Sequence, residues 1–162
     1  MTAALIIDFD QSPEVSDLLS SAVDDAKAAG LSPIIVVGAD GPVGDSVWLL
    51  EDESSGGEPL SALQAALDLL DRERAADDVV VIDAAHGADP EHIAALIELS
   101  AGSPVVVTKY RYARALPVLL DSAVWSAVMA LEDSALFGWI DSHPNVVGEE
   151  WVASAPRDTP AL

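Results

Sequence analysis

Two groups of residues carry side chains whose type and spacing suit chemistry. Asp8-Phe9-Asp10 places two carboxylates at the exit of a short apolar run, Ala3 to Ile7. In that position one acid can attack a phosphoryl or acyl centre while the other moves a proton, or both can simply be solvated. The second group is basic: Lys109, Arg111 and Arg114, interleaved with Tyr110 and Tyr112, gather three of the seven basic residues of the chain within six positions. On a strand, Lys109 and Arg111 would project from one face by the two-residue period and could together hold a phosphate; the alternative is pairing with carboxylates of the chain itself. The histidines are less ordered. His86 and His92 lie six apart, His143 precedes Pro144, and no two share the i, i+4 spacing of a helical metal box. Asp83, His86 and Asp89 are spaced three residues apart in a loop, which is too weak a pattern to predict a cation site. No P-loop, G-x-G-x-x-G or G-x-S-x-G motif occurs.

The charge balance limits what such groups can bind. With 7 basic and 28 acidic residues the formal net charge is −21 and the isoelectric point is near 4.1. Neutralising a nucleic-acid backbone or an anionic lipid surface is disfavoured, and no apolar run approaches the ~20 residues of a membrane helix. The acidity reads as a solubilising or salt-adapted surface rather than an acidic binding face. Zero cysteines exclude thiolate metal sites and thiol nucleophiles. No basic region precedes the short apolar stretch at the start, so the expectation is a cytoplasmic protein. At 162 residues, 51% hydrophobic, one domain with a single compact core is expected, over 1–153, with a polar tail over 154–162.

The elements that must position the candidate groups follow from periodicity. Ala3–Ile7 is a buried strand. Ser12-Pro13-Glu14 caps a helix whose apolar residues Val15, Leu18, Leu19, Ala22, Val23 and Ala26 recur at helical spacing, and Gly30 ends it. Pro33–Val37 completes a β-α-β unit, and Ser46–Leu50 adds a strand. Leu60, Leu63, Leu67 and Leu70 form the stripe of a second long helix, and Val79–Ile82 has the unbroken apolar pattern of a strand covered on both sides. Asp89-Pro90-Glu91 starts a helix with Ile93, Leu96 and Ile97 inward. Val105–Val107 and Leu116–Leu120 are strands, 123–131 and about 135–140 are helical, and 145–153 holds a last strand or hairpin. Trp48, Trp125, Trp139 and Trp151 are expected in the core, with a contribution to an interface as the alternative. Alternation of this kind predicts a three-layer α/β/α sandwich with a mostly parallel sheet and its site at the C-terminal strand ends, where Asp8, Gly38, Asp83 and 108–111 fall.

In order along the chain, several segments resemble the MobA-like molybdenum-cofactor nucleotidyltransferases. Residues 22–40, AVDDAKAAGLSPIIVVGAD, are similar to that family's first helix and second strand, and Gly57-Glu58-Pro59-Leu60-Ser61-Ala62-Leu63 to its G-P-L-A-G-L turn. Val79 to Ala85 resembles the strand ending in its metal-binding aspartate, and Pro117-Val118-Leu119-Leu120 its H-P-V-L-L strand. Leu131-Glu132-Asp133 falls where the family has L-x-G-D, and Asp158-Thr159-Pro160 resembles its closing motif. The resemblance implies a nucleotide-diphospho-sugar-transferase-like fold. It also implies a base-holding turn at Gly57, Pro59 and Ser61, magnesium at Asp83 and Asp158 if the protein is active, and phosphate contacts from Lys109 or Arg111.

The departures fall on the catalytic parts. Family members follow the first strand with L-A-G-G-x-x-x-R-M-G-x-x-K, whose N–H groups and cations cradle a triphosphate; from Asp8 to Glu14 this chain has neither a glycine nor a base. By count the metal aspartate aligns with Ala85, two residues from Asp83, and the histidine before Pro117 is Leu116. The expectation is therefore a family member with lost or weakened catalysis and a binding or regulatory role, taking a nucleotide, a small anion or a protein partner. An active magnesium-dependent nucleotidyltransferase of molybdenum-cofactor synthesis is the alternative. A further one rests on the likeness of Asp8-Phe9-Asp10 to the haloacid-dehalogenase phosphohydrolases, with Asp8 as nucleophile.

Overall fold

A computed structural model of the chain describes residues 1–8, 15–38, 47–50, 58–132, 135–153 and 162. Among them the chain forms β1 (Thr2–Ile7), α1 (Val15–Ala28), β2 (Ile34–Val37), β3 (Val47–Leu50), α2 (Pro59–Glu73), β4 (Asp78–Asp83) and α3 (Pro90–Ser100). These are followed by β5 (Val105–Tyr110), β6 (Ala113–Asp121), α4 (Ser122–Met129), α5 (Leu136–Ser142), a 3-10 turn (Pro144–Val146) and β7 (Val147–Trp151). No helix of the described residues is long and apolar enough to cross a membrane.

The strands make one sheet in the order β3-β2-β1-β4-β6-β5-β7, parallel throughout except for β6, which runs against both β4 and β5. Because successive side chains point to opposite faces, each central strand feeds two cores. Ala3, Leu5 and Ile7 of β1 and Val79 and Val81 of β4 pack under Leu63, Leu67 and Leu70 of α2, with Trp125 and Val128 of α4 and Leu136 and Ile140 of α5. Ala4, Ile6, Val80 and Ile82 pack under Leu19, Ala22, Val23 and Ala26 of α1 and Ile93 and Leu96 of α3. That is the expected three-layer arrangement. Each fully buried leucine or isoleucine contributes about 1.5–3 kcal/mol by leaving water.

The local signals act as expected at several ends. Gly30, at φ +77°, closes α1: its N–H donates to Lys27 O, and Leu31 N–H reaches back to Ala26 O at 3.0 Å, the paired bonds of a glycine C-terminus. Asp89 caps α3 by accepting from Glu91 N–H at 2.9 Å, and Pro90 follows at the position where a missing N–H costs nothing. The proposed cap of α1, Ser12-Pro13-Glu14, lies outside the described residues. Leu18 departs from its expectation. It is 46% exposed, because the buried stripe of α1 centres on Leu19, Ala22, Val23 and Ala26 and leaves Leu18 at its margin. Trp125 is buried and donates Nε1–H to Leu120 O; Trp48 and Trp139 flank the same core, whereas Trp151 is exposed. Leu162, expected in a polar tail, is buried against the first core.

The second half of the sheet departs most from strict alternation. β5 and β6 are each longer than their apolar runs and join directly as a hairpin turning at Arg111-Tyr112, with no helix between them. The ladder shifts register after Val107: Val107 faces Val118, but Thr108 faces Ala115. Where the register shifts, the Pro117 carbonyl accepts from a side chain, the Thr108 hydroxyl, at 2.8 Å.

Candidate functional site

β1, β2 and β4 end on the same edge of the sheet, and the winding of the chain reverses between β1 and β4, since β2 and β3 lie on one side of β1 and β4 on the other. The crevice outside such a reversal is where open α/β sheets hold ligands. Asp8 and Asp83 stand there together: Ile7 and Asp83 are register partners, and Ala84 N–H continues the ladder to Ile7 O at 2.9 Å. Asp83 is 6% exposed, and both of its carboxylate oxygens are engaged. Oδ1 accepts the Ala85 N–H at 2.9 Å and Oδ2 lies 2.5 Å from His86 Nδ1, while its main-chain carbonyl accepts from His86 and Gly87 N–H. Gly87 makes this tight turn possible at φ +61°, and a Cβ there would come 2.8 Å from an Asp25 carboxylate oxygen of α1.

The donor set of this edge decides whether it could hold a divalent cation. Among the described residues no group of three His, Asp or Glu side chains converges to hold one. Asp83 is committed to an imidazole and a backbone N–H, and hard cations take six or more oxygen donors. The described residues alone do not fit the ion. Asp158 and Gly57, the other expected ligand and turn residues, lie outside the described residues; Pro59 and Ser61 form the first turn of α2.

The basic cluster is rearranged relative to expectation. Arg111 is not on a strand beside Lys109. It sits in the hairpin turn with φ +52°, exposed, its guanidinium 5.2 Å from the Tyr110 ring centre. The two-residue period fails here because β5 stops at Tyr110. The residue that does share a face with Lys109 is its cross-strand partner, Arg114. Lys109 Nζ donates to both oxygens of Glu149 on β7 at 2.9 Å and lies 4.8 Å from the Trp151 ring centre. Arg114 donates one amino group to the same Glu149 at 3.2 Å and the other to Asp141 of α5. The hydrogen bond from Lys109, with that from Arg114, holds the Glu149 carboxyl below its ordinary range against the opposing effect of burial. A cavity of about 470 Å³ opens beside these groups, lined by Lys109, Tyr112, Arg114, Phe137 and Asp141.

On the opposite face, His92 of α3 meets Thr108, Nε2 to Oγ1 at 2.7 Å. The single hydroxyl hydrogen of Thr108 goes to Pro117 O, so His92 Nε2 is the donor and Nδ1 carries the lone pair. Burial lowers the His92 pKa, with Glu150 and Asp89 pulling the other way. His143 stacks on Trp139, with ring centres 4.4 Å apart. Sequence reasoning placed Thr108 at a strand end without giving it a role, and it missed Glu149 and Asp141. Thr108 had a signal, as the first polar residue after an apolar strand; Glu149 and Asp141 had none, since their roles depend on which strand neighbours β5 and where α5 returns.

A family model described as the MobA-like NTP transferase domain matches residues 14–147, and the chain belongs to that family. Among solved structures, the Rv0371c protein of Mycobacterium tuberculosis H37Rv superposes with a TM-score of 0.75 at 18% identity, over 99% of this chain and 92% of that one. The same mycobacterial protein has also been crystallised as a complex with manganese. A 4-diphosphocytidyl-2C-methyl-D-erythritol synthase from Anaerococcus prevotii superposes with a TM-score of 0.66 at 15% identity, over 93% and 86%. At these identities the likeness establishes the nucleotidyltransferase-like fold. No curated protein matches the sequence.

Proposed function

We propose that this chain is a cytoplasmic MobA-like protein of impaired catalysis that serves a binding or regulatory role. The observation that carries the reading is the charge of the segment that follows β1. Residues 8–14 contain Asp8, Asp10 and Glu14 and no base, and Lys109 and Arg114 are already held by Glu149 and Asp141. Nucleotidyl transfer relies on cations and N–H dipoles fixed around a triphosphate of about four negative charges, and losing one such stabiliser costs about 10²–10³ in rate. In this chain the segment that follows β1 supplies carboxylates instead.

The second reading is an active, metal-dependent nucleotidyltransferase of molybdenum-cofactor synthesis, with Asp83 and Asp158 on magnesium and Lys109 or Arg111 on phosphate; the manganese complex of a fold relative favours it. Isothermal titration with GTP, CTP and ATP in the presence of magnesium separates the two. The impaired reading predicts no heat of binding with any of them. Micromolar nucleotide binding that is weakened in Asp83→Ala would replace it with the active one.

A further inference from the structure

We infer that the His86 imidazole occupies the place of a divalent cation on Asp83, so that a side chain of the protein itself latches this edge, and that Asp83 takes up an ion only when the imidazole is removed. This deepens the reading of impaired catalysis, and rests on it, by naming the contact that keeps a metal from the β1–β4 edge.

A divalent ion of the magnesium type is bound through one or two carboxylates and keeps several waters, so a carboxylate that serves it must offer an open oxygen and space for those waters. Asp83 offers neither. Its side chain is 8% exposed. Oδ1 accepts from Ala85 N–H at 2.9 Å, and Oδ2 lies 2.5 Å from His86 Nδ1. A carboxylate accepts and does not donate, so Nδ1 carries the hydrogen at this contact. A buried carboxylate needs a donor or a cation beside it, and here the ring fills that need.

The turn after β4 holds the ring in place. Asp83 O accepts from His86 N–H at 3.2 Å and from Gly87 N–H at 2.9 Å, a tight turn that brings residue 86 back over residue 83. Gly87 completes the turn at φ +61°, where a Cβ would come 2.8 Å from an Asp25 carboxylate oxygen. The sheet fixes the other partner, since Asp83 is the last residue of β4 and is in register with Ile7 of β1. The imidazole itself is 35% exposed and belongs to neither apolar core, so it can be replaced without opening either layer. Its removal would leave Asp83 with the Ala85 N–H as its side-chain donor among the described residues and would open the volume of the ring beside it. A carboxylate so placed gains from any cation that reaches it.

Titration of the whole protein with manganese chloride, in about 0.15 M sodium chloride to screen its general acidity, tests this through paramagnetic broadening of amide resonances. In the wild-type protein the amides of Asp83, Ala84 and Ala85 should broaden no more than those of exposed acids elsewhere, such as Asp68 and Glu73 of α2. His86→Ala should broaden residues 83–85 selectively at about tenfold lower manganese, and the double variant His86→Ala/Asp83→Asn should lose that gain. His86→Ser, also too short to reach the carboxylate, should repeat it and guards against a folding fault peculiar to the alanine variant. Selective broadening at 83–85 in the wild-type protein, no gain in the His86 variants, or a gain that survives Asp83→Asn would overturn the inference. The metal is added without nucleotide, so the two proposals fail separately. Nucleotide binding by a protein whose Asp83 takes no manganese would remove the proposed function and leave the latch; manganese on wild-type Asp83 without nucleotide binding would do the reverse.

Discussion

At the scale of single residues, the hydrogen-bond chain His92–Thr108–Pro117 is the arrangement with a readable pH dependence. His92 is half-buried and neutral, and burial has moved its folded-state pKa below the ordinary 6.5 of histidine, although Glu150 and Asp89 face it. The unfolded chain therefore takes up the proton first. Between the two values the unfolded state binds more protons, so stability rises with pH there. The contribution is complete above the unfolded value and is lost as pH falls through the folded one. Urea midpoints should decline as pH falls below the ordinary 6.5, and His92→Gln, which keeps a donor for Thr108, should flatten that part of the curve. Glu149 acts in a lower window. Its depressed carboxyl adds stability above the ordinary 4.5 that disappears as pH falls below it, and His92→Gln should leave that decline in place.

At the scale of elements, the β5–β6 hairpin is the least regular piece of the sheet. Its two-residue loop has positive φ at Arg111 alone, the pattern of a turn that prefers glycine at its first position because a Cβ is strained there. Arg111→Gly should stabilise the protein by about 1 kcal/mol, relief of strain outweighing the added freedom of the unfolded chain and the lost contact with Tyr110. Thermal unfolding of the variant against the parent measures it; a lowered midpoint would mean that the Tyr110 contact matters more than the turn. The other elements were legible because their ends carry chemistry that acts locally. Gly30 stops α1, Asp89-Pro90 starts α3, and Leu60, Leu63, Leu67 and Leu70 define α2 through their spacing. The hairpin was not legible, since Tyr110-Arg111-Tyr112-Ala113 contains none of the glycine, asparagine or proline that normally announces a turn. A partner contact that joins elements was equally hidden. Gln64 of α2 donates its side-chain amide to the carbonyls of Val128, Met129 and Leu131 at the end of α4, closing that helix from a residue more than sixty positions away.

At the scale of the whole molecule, two apolar layers hold the fold and one sign of charge dominates the chain. A net charge of −21 repels itself when unscreened, and the folded state suffers more because it is compact. The screening length falls from about 30 Å at 0.01 M salt to about 10 Å at 0.1 M. Thermal midpoints should therefore rise with sodium chloride over that range. A fall would mean that ion pairs such as Lys109–Glu149 outweigh the general repulsion.

The sequence by itself determined the layer order, the strand and helix inventory of the first half, the family, and the absence of a basic glycine-rich loop after β1. These follow from periodicity, caps and composition, each of which acts over a few residues. Tertiary structure alone decided which charges meet. Lys109 turned out to face Arg114 rather than Arg111, and Glu149 and Asp141 came to them from β7 and α5, because a sheet register and a returning helix bring together residues up to forty positions apart. Electrostatic partnership depends on distance in space, and the chain fixes that distance only once both cores have closed.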